Sequence, residues 1–123
     1  SLNFDVSLPI VAMDGYVRQV SEAVCGEWGD AAELVVFGHI GDGNLHINIG
    51  PRPFDETVHR RAEEIVYGLL RPHKGSVSAE HGIGLEKRDW LGVSRSPQEI
   101  ALMRTIKAAM DPKGILNPGK VLA

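Results

Sequence analysis

The stretch from Leu34 to Ile49 limits what this chain can fold into more than any other. Leu34-Val35-Val36-Phe37 is a continuous apolar run of strong strand formers and reads as a buried strand. Further on, Leu45, Ile47 and Ile49 alternate with Asn44, His46 and Asn48, the pattern of a half-buried strand. Between them stands Gly41-Asp42-Gly43, and an Asp-Gly pair flanked by apolar runs is the strongest short signal for a hairpin. With Asp42 and Gly43 as the two central turn residues, counting outward sets Gly41 opposite Asn44, Ile40 opposite Leu45 and His39 opposite His46. Directly opposed residues share a face, with Cβ atoms about 4.5–5.5 Å apart. Two imidazoles so placed reach one metal ion at roughly 2.0–2.1 Å from each nitrogen. Asn48 lies on the same face, two residues beyond His46. The plainer alternative is a pair of solvated histidines on the polar side of a hairpin. A one-residue change in turn length would carry His39 to the other face.

The flanking segments supply partners for this hairpin. Phe4, Val6 and Leu8 alternate with polar residues, which predicts a short strand stopped by Pro9. Val11, Tyr16, Val17, Val20, Val24 and Trp28 fall at helical spacing, ended by Gly29-Asp30. Asp55 is a good N-cap for a second helix with a stripe of Val58, Ala62, Ile65, Val66 and Leu69. Gly75 to Ala79 reads as a short edge strand returning to the sheet. Ser96-Pro97-Gln98-Glu99 combines a capping serine, proline at N1 and glutamate at N3, and opens a helix. Ile100, Met103, Ile106 and Met110 form its stripe, and Asp111-Pro112 stops it. The order predicts an α+β fold: a ferredoxin-like antiparallel sheet with helices on one face over residues 1–80, then a C-terminal helical segment over 81–123.

Charge and length exclude several functions. Thirteen basic against sixteen acidic residues leave a net charge of −3, and no long basic stretch offers a nucleic acid or an anionic membrane a landing site. No run of 18 apolar residues predicts a membrane span. At 123 residues the chain suits one domain or part of a larger one. The opening Ser1-Leu2-Asn3-Phe4-Asp5 lacks a start methionine and a basic n-region, so it does not read as a signal peptide, and a piece of a longer protein is expected. Cys25, the single cysteine, excludes an intrachain disulfide and a multi-cysteine zinc site. It points to a reducing, cytoplasmic setting.

A second cluster carries chemistry: Ser78-Ala79-Glu80-His81-Gly82-Ile83-Gly84. Glu80 could give a third, hard metal ligand and His81 a proton acceptor. Two histidines and one carboxylate make an open site with room for water or substrate. Seen alone, the segment also reads as a solvated loop whose glycines permit a turn. His59 and His73 are expected to be solvated, Lys87-Arg88-Asp89 to be an exposed charged turn with Lys87 able to meet an anionic substrate, and Cys25, Trp28 and Trp90 to pack in the core. Gly82-x-Gly84 lacks the spacing and the lysine of a dinucleotide or phosphate loop.

Three ordered motifs resemble a known family: Gly38-His39-Ile40-Gly41-Asp42-Gly43-Asn44-Leu45-His46, Val77-Ser78-Ala79-Glu80-His81-Gly82-Ile83-Gly84, and Asp111-Pro112-Lys113-Gly114-Ile115-Leu116-Asn117-Pro118-Gly119-Lys120. The chain is similar, from about Phe4 to its end, to the C-terminal domain of FAD-linked oxidases of the D-lactate dehydrogenase, glycolate oxidase and D-2-hydroxyglutarate dehydrogenase group. The hydroxyglutarate branch is nearest. The resemblance implies an N-terminal FAD-binding domain of the vanillyl-alcohol-oxidase type in the same full-length protein, with this chain as roughly the last quarter. It implies a divalent metal, zinc by ligand type, on His39, His46 and Glu80, His81 as catalytic base and substrate contact, and Asn48 as a substrate-binding residue. The implied reaction oxidises a D-2-hydroxy acid to the 2-oxo acid by metal-assisted proton abstraction and hydride transfer to FAD. Two residues before Asp5 that branch carries a substrate-contacting lysine; Asn3 stands here, which opens the site to other D-2-hydroxy acids. Peripheral membrane association of the full-length enzyme is compatible with the family. Without the first half of its domain, the chain would expose sheet surface through which two copies could pair. The rival readings are a free-standing metal-dependent hydrolase and a non-catalytic ferredoxin-like assembly module.

Overall fold

A computed structural model describes the backbone of residues 1–123 and every side chain except that of Ile40. Strand β1 spans Leu2–Ser7, helix α1 Met13–Trp28, β2 Ala32–His39, β3 Asn44–Pro51 and α2 Glu56–Gly68. The short helix α3, Leu91–Ser94, and α4, Pro97–Met110, complete the chain. The sheet order is β1-β3-β2, antiparallel throughout, so β3 fills the gap left by the β1-α1-β2 crossover. This is the expected α+β arrangement.

Side-chain alternation splits the sheet into two faces. On one, Phe4 pairs with Ile47 and Val6 with Leu45, while Val36 meets Ile47 from the other side. These residues join Tyr16, Val20 and Val24 of α1 and Ala62, Ile65 and Val66 of α2 in one buried cluster. The Tyr16 hydroxyl donates to the Val66 carbonyl at 2.7 Å, tying the two helices across the core. Asp55 caps α2 by accepting from Val58 N, and Ser96 with Glu99 forms the full capping box that starts α4. The other face presents Asn3 and Asp5 from β1, Asn44, His46 and Asn48 from β3, and Phe37 and His39 from β2.

The structure departs from the sequence expectations in five places. The hairpin turn is longer: Phe37, not His39, faces His46, and His39 faces Asn44. Ile40–Asp42 forms a 3-10 turn followed by Gly43 in the left-handed region. Asp42 Oδ1 accepts from Asn44 N, and the Gly43 carbonyl accepts from Leu8 N, so the Asp-Gly pair closes a four-residue loop instead of a two-residue one. The slip is two residues, so His39 stays on the face of His46. The expected edge strand at 75–79 shrinks to one bridge between Ser7 and Ser76, because the next amides turn to the side chains of Ser94 and Asp5. Cys25 is exposed, since it lies about 100° round α1 from buried Val24. Lys87 is buried rather than in an exposed turn. The α4 stripe does not enter the core: Ile106 and Met110 are exposed. Spacing reports that a helix has an apolar side, not that a partner covers it. Trp28 and Trp90 pack against the core as expected, while His59 is exposed and His73 half-buried against Tyr16.

Candidate metal centre and active site

Three segments distant in sequence meet at one end of the open sheet face. His39 ends β2, His46 sits within β3, and Glu80 arrives on the loop that crosses β1. Each offers a ligand atom, and the three atoms lie within 4.8 Å of one another. The His39 and His46 ring centroids are 6.1 Å apart, and His46 stacks on Phe37 at 5.1 Å with planes inclined by 24°. That stacking restrains the His46 ring. Gly38 is what lets the strands close here, since a Cβ at this position would lie 2.1 Å from the Asn44 carbonyl oxygen.

Asn44 adds a test of fit. It is 3 % exposed; its Nδ2 donates to Glu80 Oε1, and its Oδ1 is buried with no partner among the described residues. A buried acceptor left open beside two imidazoles and a carboxylate is suited to a coordinated water or ion. The donor set is that of an open nitrogen–oxygen site for a divalent metal such as zinc, manganese or iron.

The loop carrying Glu80 and His81 is held from beneath by Asp5, which sequence reasoning passed over. Asp5 is 1 % exposed. Its Oδ2 accepts from three successive backbone amides: Ala79 N at 3.1 Å, Glu80 N at 2.8 Å and His81 N at 3.0 Å. Its Oδ1 pairs with the Lys87 ammonium, and His81 Nδ1 stands 3.2 Å from the same oxygen. Burial alone would raise the Asp5 carboxyl; the Lys87 ammonium and the amides of Glu80 and His81 outweigh it and hold the group well below the usual carboxylate range. Lys87, 8 % exposed, is therefore paired with Asp5. The one sequence signal was a charged residue inside the Phe4-to-Leu8 alternation, and parity alone reads such a residue as solvent-facing.

The His81 side chain is 69 % exposed and borders a cavity of about 370 Å³ lined also by Asn3, Lys87 and Lys120. Asn48 is half-buried in the row beyond His46, opposite Asn3 across the β1–β3 pair. The structure thus puts His39, His46 and Glu80 together, with His81 following Glu80 in the chain, and places Asn48 on the same face as His46. The third motif acts as a clasp. Asp111 accepts from Ile115 N, Leu116 N and Lys107, which holds its carboxyl low, and Val121 N donates to Gly84 O at 2.7 Å behind the His81 loop.

Comparison with known proteins places the chain in a family. Residues 1–121 match the family described as FAD linked oxidases, C-terminal domain. A mitochondrial D-2-hydroxyglutarate dehydrogenase of Arabidopsis thaliana is 43% identical over 119 residues, covering 97% of this chain and 21% of that protein. The D-2-hydroxyglutarate dehydrogenase of Stutzerimonas stutzeri is 42% identical, over 97% of this chain and 26% of its own length. The mitochondrial enzyme of that name from Bos taurus is 43% identical, over 97% and 21%. The chain spans about a quarter of the length of the curated relatives it matches.

Proposed function

The chain belongs to the C-terminal domain family of FAD linked oxidases, and from that membership we propose that it forms the substrate- and metal-binding part of a flavin-dependent dehydrogenase of D-2-hydroxy acids, with 2-hydroxyglutarate the first candidate. Relatives at 42–43% identity carry that substrate in their names. The observation that carries the reading is the convergence of His39, His46 and Glu80 within 4.8 Å, with His81 following Glu80 in the chain.

His39 and His46 as neutral imidazoles and Glu80 as a carboxylate would hold a divalent ion, zinc first by donor type. Such an ion, when bound, supplies a Lewis acid toward an α-hydroxyl and the adjacent carboxylate oxygen. FAD, held by a domain outside this chain, supplies the hydride acceptor. The chain's own residues do the rest. The Asn48 amide orients a substrate oxygen in the row beside His46. His81 takes the hydroxyl proton, a task suited to imidazole near neutral pH. Loss of that proton and of the hydride on the same carbon turns the C–OH into C=O.

The partners on this reading are a small 2-hydroxy acid, the flavin domain of the same protein and, through the outer edge of β2, a second copy. Residues 1–80 supply the sheet and the ligands, and 81–123 supply the base and the clasp. The reducing, cytoplasmic setting read from lone Cys25 stands as part of the proposal; no helix is long and apolar enough to cross a membrane. Metal content by mass spectrometry on chelator-free protein tests the site. About one equivalent per chain is expected, lost in Glu80→Ala. A chain that takes up no zinc, manganese or iron on titration would overturn the metal assignment.

A further inference from the structure

The proposed metal ligands reach their meeting point by two routes. His39 and His46 belong to the β2–β3 hairpin, whereas the loop carrying Glu80 hangs from β1, where Ser7 bridges to Ser76 and Asp5 accepts from the amides of Ala79, Glu80 and His81. One hydrogen bond joins the two: Asn44 Nδ2 donates to Glu80 Oε1, from 36 positions away in the sequence. No other hydrogen bond among the described residues links residues 76–84 to the hairpin. Asn44 itself is firmly held. It is 3 % exposed, pairs with Ser7 of β1 and His39 of β2, and donates its backbone amide to Asp42 Oδ1 at 3.2 Å. One proposed ligand, His39, therefore stands directly across from it, and a second, His46, follows on the same strand and the same face. An ionised carboxylate accepts and never donates, so the amide presents its NH2 to Glu80 and Oδ1 takes the other branch. That Oδ1 is buried and meets no donor among the described residues. Packing alone gives no reason for an amide here: asparagine is depleted in strands, and a buried acceptor without a donor is costly.

We propose that Asn44 is a positioning residue of the metal centre: its side-chain N–H fixes the rotation of the Glu80 carboxylate and brings that ligand onto the histidine pair. This inference rests on the metal reading proposed above and adds to it a residue outside the ligand set named there. A long side chain on a loop loses rotamer freedom when it binds an ion. A donor fixed in the sheet takes up that loss beforehand, so the ligands are arranged before the ion arrives. Asn44→Leu keeps about the same side-chain shape and deletes both polar ends. It should weaken zinc binding by about 10–100-fold, the usual share of a hydrogen-bonding partner behind a metal ligand.

The test is competitive zinc titration of the chain, with the fold of each variant checked by circular dichroism. Asn44→Leu should lower affinity by that factor in the parent. In the Glu80→Ala background, where the histidine pair alone is left to titrate at higher zinc concentration, it should lower affinity by less than about twofold. A residue that merely shaped the hairpin would lower affinity in both backgrounds, through His39 and His46. Asn44→Ala, which adds no bulk to the buried site, repeats the comparison if Asn44→Leu does not fold. Equal falls with and without Glu80 overturn the proposal, and so does a folded variant that binds zinc within about twofold of the parent. If neither variant folds, Asn44 serves the core first and the proposal fails. Each of these results leaves the metal reading standing, whereas a parent that takes up no zinc sinks that reading and this inference with it.

Discussion

Replacing Gly38 by alanine should damage both the fold and the proposed metal centre, and the size of the effect follows from the hairpin geometry. The added Cβ would stand 2.1 Å from the Asn44 carbonyl oxygen, 3.0 Å from Leu45 Cα and 3.1 Å from the Asn44 carbonyl carbon. Non-bonded contacts settle near 3.5 Å, so β2 must retreat from β3 by about 1 Å. All three atoms are backbone, and none can rotate away. Overpacking of this kind costs about 1–3 kcal/mol, and one or two weakened ladder bonds add about 0.5–1.5 kcal/mol each. The sum, roughly 1.5–6 kcal/mol, is a large part of the 5–15 kcal/mol that holds a domain together. At about 4 °C per kcal/mol, Tm should fall by about 6–24 °C. His39 is the next residue, and metal sites tolerate ligand displacements of only about 0.2 Å, so zinc affinity should drop by at least about 10–100-fold. Gly41 is the control: a Cβ there meets nothing within 4 Å, and Gly41→Ala should leave Tm nearly unchanged. Thermal unfolding by circular dichroism and competitive zinc titration read both quantities. A Gly38→Ala protein within about 0.5 kcal/mol of the parent that binds zinc equally well would refute the steric argument.

Two further outcomes follow from buried polar groups. Asp5 titrates lower in the fold than in the unfolded chain, so its contribution is fully present above the unfolded carboxylate value of about 3.9 and is lost as pH falls through the folded value. Urea denaturation at neutral pH and at about pH 3 should therefore show a stability loss in acid that is clearly smaller in Asp5→Asn; equal losses would contradict the depressed carboxyl. Tyr16→Phe removes the hydroxyl that bonds to Val66 O across the core, and urea midpoints should report a loss of about 1–2 kcal/mol, with no change in zinc affinity.

What the sequence disclosed depended on how local the cause was. The capping box at Ser96 and the cap at Asp55 involve residues three apart, and both were readable and present. The period-2 pattern of β3 correctly told Leu45, Ile47 and Ile49 from Asn44, His46 and Asn48. Turn length was not readable, because the bond that closes the loop beside the local Asp42–Asn44 contact comes from Leu8 N, just past the end of β1 and 35 positions from Gly43. His39 and His46 stayed together only because the error was an even number of residues. Asp5 was invisible for the same reason as Lys87. Each is buried against a partner some eighty positions away, and no periodicity reports a pairing at |i−j| = 82. The exposed stripe of α4 shows the converse: amphipathic spacing was real, yet nothing in the sequence says which surface it meets.

Strand β3 sends Leu45, Ile47 and Ile49 into the core and Asn44, His46 and Asn48 to the site. Because the two sets interleave, they tolerate sequence change in opposite ways. Single substitutions at the half-buried outward positions His46 and Asn48 change the open face while the apolar set holds the register. An insertion or deletion of one residue would exchange the two sets at a stroke, driving an imidazole inward and an isoleucine outward. The placement of His46 and Asn48 on the open face is thus inherited from core burial. A lineage carrying this strand can change the residues of that face by point substitutions, but it cannot change the length of the strand without losing the core and the open face together.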